Sequence, residues 1–118
     1  MWRRILNIFG GRESAAARGA RLLKENLSVE QRHQYRMTGY FDVVGGDTGR
    51  SYRIYRANLM NVAELDDAGR CVSTWCFYPE GNLVRADNML AQKLALELFE
   101  AEALIHANKF PPGKVNTF

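Results

Sequence analysis

The sequence predicts an α+β domain in which N-terminal helices precede a four-stranded antiparallel meander and a long C-terminal helix packs on the sheet. Three observations lead to this class. Residues 14–37 carry helix-forming and helix-capping residues, residues 40–78 alternate apolar and polar side chains between glycine-containing turns, and residues 88–107 form one long helical pattern. Helical and strand segments that are segregated along a chain are typical of α+β proteins.

Two helices are predicted at the N-terminal side of the domain. The first covers residues 14–26, although Gly19 weakens it. The second begins after Ser28, a favourable N-cap, and Gln31 three residues later completes a capping box. This helix is expected to run to about Met37, because Gly39 is a natural C-terminal stop.

Short strands at regular spacing follow the second helix. Glycine-containing turns separate the first two strands, at 45–49, and the last two, at 66–69. The four predicted strands are Tyr40–Val44, Ser51–Arg56, Leu59–Leu65 and Cys71–Tyr78. We interpret the glycines of the 45–49 loop as the requirements of a plain hairpin loop.

The last helix, predicted over residues 88–107, carries two apolar stripes. One stripe comprises Leu90, Leu94, Leu98, Ala101 and Ile105, and the other comprises Met89, Leu96, Phe99 and Ala103. A helix lying on one sheet needs only one apolar stripe. The second stripe must therefore be covered either by the N-terminal helices or by another protein chain, and both alternatives stay open.

The length of 118 residues fits one domain. We predict a basic and apolar N-terminal segment over residues 1–13, a single α+β domain over 14–108 and an extended C-terminal tail over 109–118. Cys71 and Cys76 are the two cysteines, and their spacing on one strand does not favour a disulfide bond. Unpaired cysteines indicate a reducing cytoplasm.

The sequence lacks the constellations that enzymes and metal sites need. Two cysteines and two histidines are scattered over three elements, whereas zinc needs four ligands in a close set. The carboxylates of Glu97, Glu100 and Glu102 are expected on the solvated flanks of the last helix. We therefore expect no enzymatic activity, no metal and no cofactor.

Basic residues concentrate in the first half of the chain, where residues 1–60 hold eleven Arg or Lys and five Asp or Glu. The second predicted strand interleaves cations with aromatic side chains, a pattern suited to phosphates and bases. Nucleic-acid binding is therefore one hypothesis, with Arg50, Arg53, Tyr55 and Arg56 as the contacts. Solvated surface arginines explain the same pattern.

The N-terminal segment clusters apolar side chains behind two arginines. Trp2, Ile5 and Phe9 are candidates for contact with a protein partner. Residues 2–9 are also a candidate for contact with a membrane surface. We expect such contact to be weak, because short amphipathic segments bind lipid only marginally. A mobile tail is the plainer alternative.

Between Leu22 and Asn108 the chain contains a series of short runs, which are Tyr40–Gly45, Thr48–Gly49, Tyr52–Ile54, Asn61–Val62, Leu65–Asp66, Gly69–Arg70, Cys76–Phe77, Pro79 and Leu90–Glu97. In these runs the chain resembles a family of short, functionally uncharacterised bacterial and phage-associated proteins. The resemblance implies a discrete domain and no particular activity.

Surplus apolar surface without a catalytic constellation favours a small non-enzymatic accessory protein that binds a larger protein partner or forms a homo-oligomer. The predicted partner-binding residues are Trp2, Ile5, Phe9, Met89, Leu96, Phe99 and Ala103. Nucleic-acid binding through residues 50–56 and membrane contact through residues 2–9 are the alternatives.

Overall fold

The computed structural model describes residues 13–57, 60–76 and 85–112. The helices are α1 (Ala15–Glu25), α2 (Val29–Thr38) and α3 (Arg85–Ile105). The strands are β1 (Tyr40–Val44), β2 (Ser51–Tyr55), β3 (Val62–Leu65), β4 (Cys71–Cys76) and β5 (Asn108–Phe110). The predicted α+β class is confirmed.

The sheet has five strands in the order β1-β2-β3-β4-β5, and all neighbours are antiparallel. Strand β5 was not predicted. Its Phe110 pairs with Thr74 and its Asn108 pairs with Cys76, so the first two residues of the predicted extended tail, 109 and 110, belong to the sheet. Three residues are too few to show the alternation that identifies a strand in a sequence.

Capping residues bound the first two helices, and those predicted at Ser28, Gln31 and Gly39 are confirmed. The Ser14 hydroxyl accepts a hydrogen bond from the backbone N–H of Ala17 at 3.0 Å. Ser28 and Gln31 form the complete capping box at the start of α2, and Gly39 ends that helix in the left-handed conformation with φ of 84°. These local signals require no knowledge of the rest of the fold, which explains their reliability.

Strand β3 starts three residues later than predicted because the chain turns at Met60, whose φ is 50°. The N–H of Tyr55 donates to the carbonyl of Asn61 at 2.7 Å, and the Asn61 amide donates back to the Tyr55 carbonyl at 3.2 Å. The Asn61 side chain is also buried and exchanges two hydrogen bonds with Gln92, at 2.8 and 3.0 Å. This reciprocal amide pair fixes α3 against the start of β3.

The core lies between one face of the sheet and the helices α1 and α3. Its largest fully buried members are Tyr52, Phe41, Leu23, Ile54, Met89 and Leu96. On the sheet they come from paired positions, since Phe41 is opposite Ile54 and Val43 is opposite Tyr52. Side chains on one face of a pleated sheet alternate with those of the other face, so residues 42 and 53 lie on the opposite face.

Helix α2 lies along β1 at one edge of the sheet and hydrogen-bonds to its backbone. The side-chain oxygen of Gln34 accepts from the backbone N–H of Asp42 at 2.8 Å, and the side-chain amide of Gln31 donates to the Asp42 carbonyl at 2.9 Å. Two glutamines thus occupy the backbone donor and acceptor that Asp42, the central residue of β1, would otherwise present to another strand.

Replacing Gln34 with alanine is expected to lower the free energy of unfolding by about 1 to 2 kcal/mol, because the Asp42 N–H then lacks its partner. Urea denaturation measures this change. Met37→Ala is the control, since Met37 is 68% exposed on the same helix. Equal stability of the two variants would show that the glutamine does not support the edge.

Candidate functional site

Helix α3 has an unusual distribution of polar and apolar side chains. Its buried residues are Met89, Gln92, Lys93, Leu96 and Glu100. Three of these five are polar, whereas large apolar side chains are exposed on the same helix. The exposed ones are Leu94 (42%), Leu98 (62%), Phe99 (58%) and Ile105 (75%). We refer to these four as the outer apolar residues of α3.

The structure therefore divides the predicted partner-binding stripe. Met89 and Leu96 are 0% exposed and belong to the core, so their assignment to a partner-binding surface is wrong for this fold. Phe99 is exposed and Ala103 is half-buried. The chain itself covers the Met89 and Leu96 part of this stripe, whereas Phe99 and three residues of the other stripe, Leu94, Leu98 and Ile105, are exposed.

A kink at Phe99 interrupts α3, where φ is −141° and ψ is 46°. The kink leaves backbone groups without their helical partners. The loop between β1 and β2 supplies replacements. The N–H of Gly46 donates to the Leu96 carbonyl at 2.9 Å, and the Asp47 carboxylate accepts from the N–H of Ala101 at 2.8 Å.

Two glycines allow this loop to reach the helix. A β-carbon on Gly46 would overlap the backbone carbonyl of Glu97, and one on Gly45 would overlap the carboxyl group of Glu100. Only Gly49 in this loop needs a left-handed conformation, with φ of 79°. The interpretation of all three glycines as hairpin-loop requirements is thus wrong for Gly45 and Gly46, which serve close packing.

Glu100 is the polar centre of the contact between loop and helix. It is 1% exposed, so its predicted place on a solvated flank is wrong. Its carboxylate accepts from the N–H groups of Asp47 and Thr48 at 3.0 and 2.8 Å, and from the hydroxyls of Thr48 and Tyr52, both at 2.6 Å. Four donors fill about four acceptor positions of a carboxylate.

The electrostatics of Glu100 favour its ionised form. Burial raises the pKa of this carboxyl, but the hydrogen bonds from Thr48, Tyr52 and the backbone outweigh burial, and the net pKa lies below 4.5. Burial, together with the neighbouring Glu100, raises the pKa of the Tyr52 hydroxyl, which therefore remains a donor. A saturated carboxylate with a lowered pKa is suited to holding the loop and is a poor proton acceptor for a substrate.

The residues predicted to bind nucleic acid are largely engaged within the chain. The Arg53 guanidinium makes two hydrogen bonds with the Asp42 carboxylate, at 2.8 and 3.1 Å, and lies 4.2 Å from the Tyr40 ring centre. The ring of Tyr55 packs against that of Tyr40, with 5.2 Å between centres. The carboxylate of Asp42 already occupies the guanidinium that a phosphate would need.

Arg50 and Arg56, the other two arginines of this set, have different surroundings. Arg50 forms a long ion pair with Glu64, with 3.8 Å between nitrogen and oxygen. Arg56 is exposed, and its guanidinium makes no ion pair with a residue in the described parts of the chain. The four residues therefore do not form one open cationic surface.

Several sequence hypotheses concern other parts of the chain. Trp2, Ile5 and Phe9 lie outside the described residues. Cys71 and Cys76 are free thiols and half-buried. Within residues 13–57, 60–76 and 85–112, no helix has the length and hydropathy to span a membrane, and no cluster of three or more His, Cys, Asp or Glu side chains could hold a metal ion.

Comparisons of the chain with known protein families, with curated proteins and with solved structures gave no significant match. The geometry of the site is therefore the basis for the functional interpretation.

Proposed function

We propose that this protein is a non-enzymatic interaction protein, active in a reducing cytoplasm, that binds a larger protein partner through the outer apolar residues of α3. The supporting observation is the exposure of Leu94, Leu98, Phe99 and Ile105 on a helix that buries Gln92, Lys93 and Glu100. Fully burying one large apolar side chain contributes about 1.5 to 3 kcal/mol. Four such side chains would supply a substantial part of a binding energy.

Packing among the residues that the structure describes does not account for the exposure of these side chains. The core already receives Met89 and Leu96 from the same helix. Leu94 and Leu98 are one helical turn apart and lie on the same face. Side chains at this spacing are typical of a helix whose apolar face enters a groove on another protein.

The hydrogen bonds that hold the kink at Phe99 also support this proposal. Gly46, Asp47 and Glu100 hold the backbone of α3 on both sides of Phe99. Because this backbone is held in place, Leu98 and Phe99 lose less conformational entropy when a partner binds, and the smaller entropy loss favours affinity.

Replacing Leu94 and Leu98 with glutamine is expected to abolish the capture of a stoichiometric protein partner from the native host. Glutamine keeps the helix and a similar side-chain length but removes the apolar surface. The measurement is affinity capture with and without nuclease, read by mass spectrometry. Val29→Gln with Met37→Gln is the matched control, since these residues are 75% and 68% exposed on α2.

Four outcomes distinguish the proposal from its alternatives. A partner that survives nuclease, binds the control and is lost with the α3 variant supports the proposal. Loss with both variants, or with neither, contradicts it. Capture of nucleic acid alone would favour the alternative through Arg56, and sedimentation of the purified protein as a dimer that the α3 variant dissociates would make the partner a second copy.

A further inference from the structure

The sequence of α3 contains nothing that requires the kink at Phe99. Sharp kinks in helices arise at proline, at glycine or serine pairs, at π-bulges, or where another group enters the ladder of backbone hydrogen bonds. Residues 92–104 contain no proline, glycine or serine and consist almost entirely of good helix formers. On its own, this segment would therefore continue as one straight helix.

The loop between β1 and β2 is the group that enters the ladder. In a continuous α-helix, each backbone N–H donates to the carbonyl four residues earlier. Here the Leu96 carbonyl accepts instead from the loop N–H of Gly46 at 2.9 Å. The N–H of Ala101 donates instead to the carboxylate of Asp47 at 2.8 Å. The loop thus supplies one partner in place of each of two successive helical hydrogen bonds that span Phe99.

Glu100 couples the same loop to the core. Its carboxylate is 1% exposed and accepts four hydrogen bonds, which come from Asp47 and Thr48 in the loop and from Tyr52 on β2. Because Phe99 directly precedes Glu100, the backbone conformation at Phe99 sets the direction in which this carboxylate points. The kink and the contact between loop and helix are therefore coupled.

We propose that α3 is a two-state hinge at Phe99, and that the β1–β2 loop, residues 45–50, is the latch that holds it in the bent state. When the latch withdraws, the helical hydrogen bonds across Phe99 form and α3 becomes continuous. The backbone groups of α3 on both sides of the hinge have partners in either state. Switching elements of this kind change between discrete arrangements rather than deforming gradually.

The hinge lies within the proposed docking surface. In a continuous helix, Leu94, Leu98 and Ile105 would share one face, because they are separated by four and by seven residues. Phe99 would lie about 100° around the axis from Leu98. The bend changes this arrangement, and we assign docking to the bent state. This consequence rests on the docking function proposed for α3, whereas the hinge itself does not.

Gly46→Ala is the first variant that opens the latch, since its β-carbon would overlap the backbone carbonyl of Glu97. The measurement is the NMR α-carbon chemical shift of Phe99 in the purified full chain, together with hydrogen exchange at the Ala101 amide. The Phe99 shift is expected to move downfield into the helical range, while the Ala101 amide stays protected because it now donates to Glu97. Gly69→Ala, in another hairpin, should leave the Phe99 shift at its wild-type value.

Asp47→Ala is the second variant, and it opens the latch without steric overlap. It removes the acceptor of the Ala101 N–H, so the Phe99 shift is expected to move in the same direction. Asp67→Ala is the matched control, because Asp67 is exposed in the turn between β3 and β4 and the charge change is the same. Circular dichroism establishes that each variant is folded.

Two results would overturn the hinge. An unchanged Phe99 shift in the folded Asp47→Ala variant would show that the kink does not depend on the latch. Coil-like shifts from Phe99 to Ile105, with rapid exchange at Ala101, would show that the loop holds the end of the helix together rather than bending it. Both readouts use the purified protein without a partner, so they are independent of the outcome for the proposed function.

The consequence for docking has its own measurement. Asp47→Ala is expected to weaken the binding of a captured partner about tenfold, a typical size for coupling between a switch and a binding site. Asp67→Ala should bind the partner as the wild type does. Equal binding by the two variants would overturn the control of docking by the latch. Failure of the wild type to capture any partner would contradict the proposed function and this consequence together, and the NMR measurement would still decide the hinge.

Discussion

Replacing Glu100 with glutamine is expected to lower the free energy of unfolding by about 3 kcal/mol. The wild-type carboxylate accepts four hydrogen bonds, which come from Asp47, Thr48 and Tyr52. The glutamine amide keeps only one acceptor oxygen, and its NH₂ group adds donors where the site already contains only donors. A buried donor without an acceptor costs about 1 to 3 kcal/mol, and the loss of a charged acceptor adds to this. Chemical denaturation at pH 7 measures the effect.

The pH dependence of this effect follows from the lowered pKa of Glu100. The folded state favours the carboxylate, so its contribution to stability is fully present above the unfolded pKa of about 4.5. This contribution is lost as the pH falls through the lower, folded pKa. The stability difference between the wild type and Glu100→Gln should therefore shrink as the pH is lowered below about 4.5.

Glu102→Gln is the control for both measurements, because Glu102 is exposed on the same helix two residues further on. It should leave the unfolding free energy within about 0.5 kcal/mol of the wild type. A loss of stability in Glu100→Gln that is no larger than in the control would show that the buried carboxylate does not hold the loop.

Replacing Gly46 with alanine is expected to destabilise the fold by about 3 kcal/mol or more. The new β-carbon would overlap the carbonyl of Glu97, which is backbone and cannot rotate away. Relief requires the loop to withdraw, and withdrawal breaks the hydrogen bonds from Gly46 to Leu96 and from Ala101 to Asp47. Thermal and urea denaturation measure the loss.

Gly69→Ala separates this packing effect from the conformational effect of removing a glycine. Gly69 has φ of 82° and no atom near the position of a β-carbon, so alanine there costs only the left-handed conformation, about 1 to 2 kcal/mol. Gly46→Ala should be clearly more destabilising. Similar losses in the two variants would contradict the role of Gly46 in close packing.

The elements that local chemistry determines were predictable from the sequence. Ser28 and Gly39 mark helix ends because their capping bonds involve residues within four positions. The hairpin turn at Gly69 is equally local. The first three strands of the meander follow from alternation, with an error at the start of β3 where Met60 takes a positive φ.

The candidate site was not predictable in the same way, because it depends on long-range contacts. Both stripes of α3 are apolar, and periodicity alone does not identify the buried one. The deciding partners are Asn61 for Gln92, and Thr48 and Tyr52 for Glu100, which lie 31 to 52 residues away in the chain. The pair Gly45 and Gly46 was the one sequence signal for this contact, since adjacent glycines also allow close backbone approach.

The backbone groups at the two edges of the sheet bear on how the proposed partner could bind. Gln31 and Gln34 occupy the free backbone groups of Asp42 on β1, and β5 has three residues that are followed by two prolines. Proline lacks the N–H that an added strand would need. Among the described residues, these two features disfavour β-augmentation by an extended peptide at either edge. For the partner proposed above, specificity would then depend on side-chain shape and charge rather than on shared main-chain hydrogen bonds.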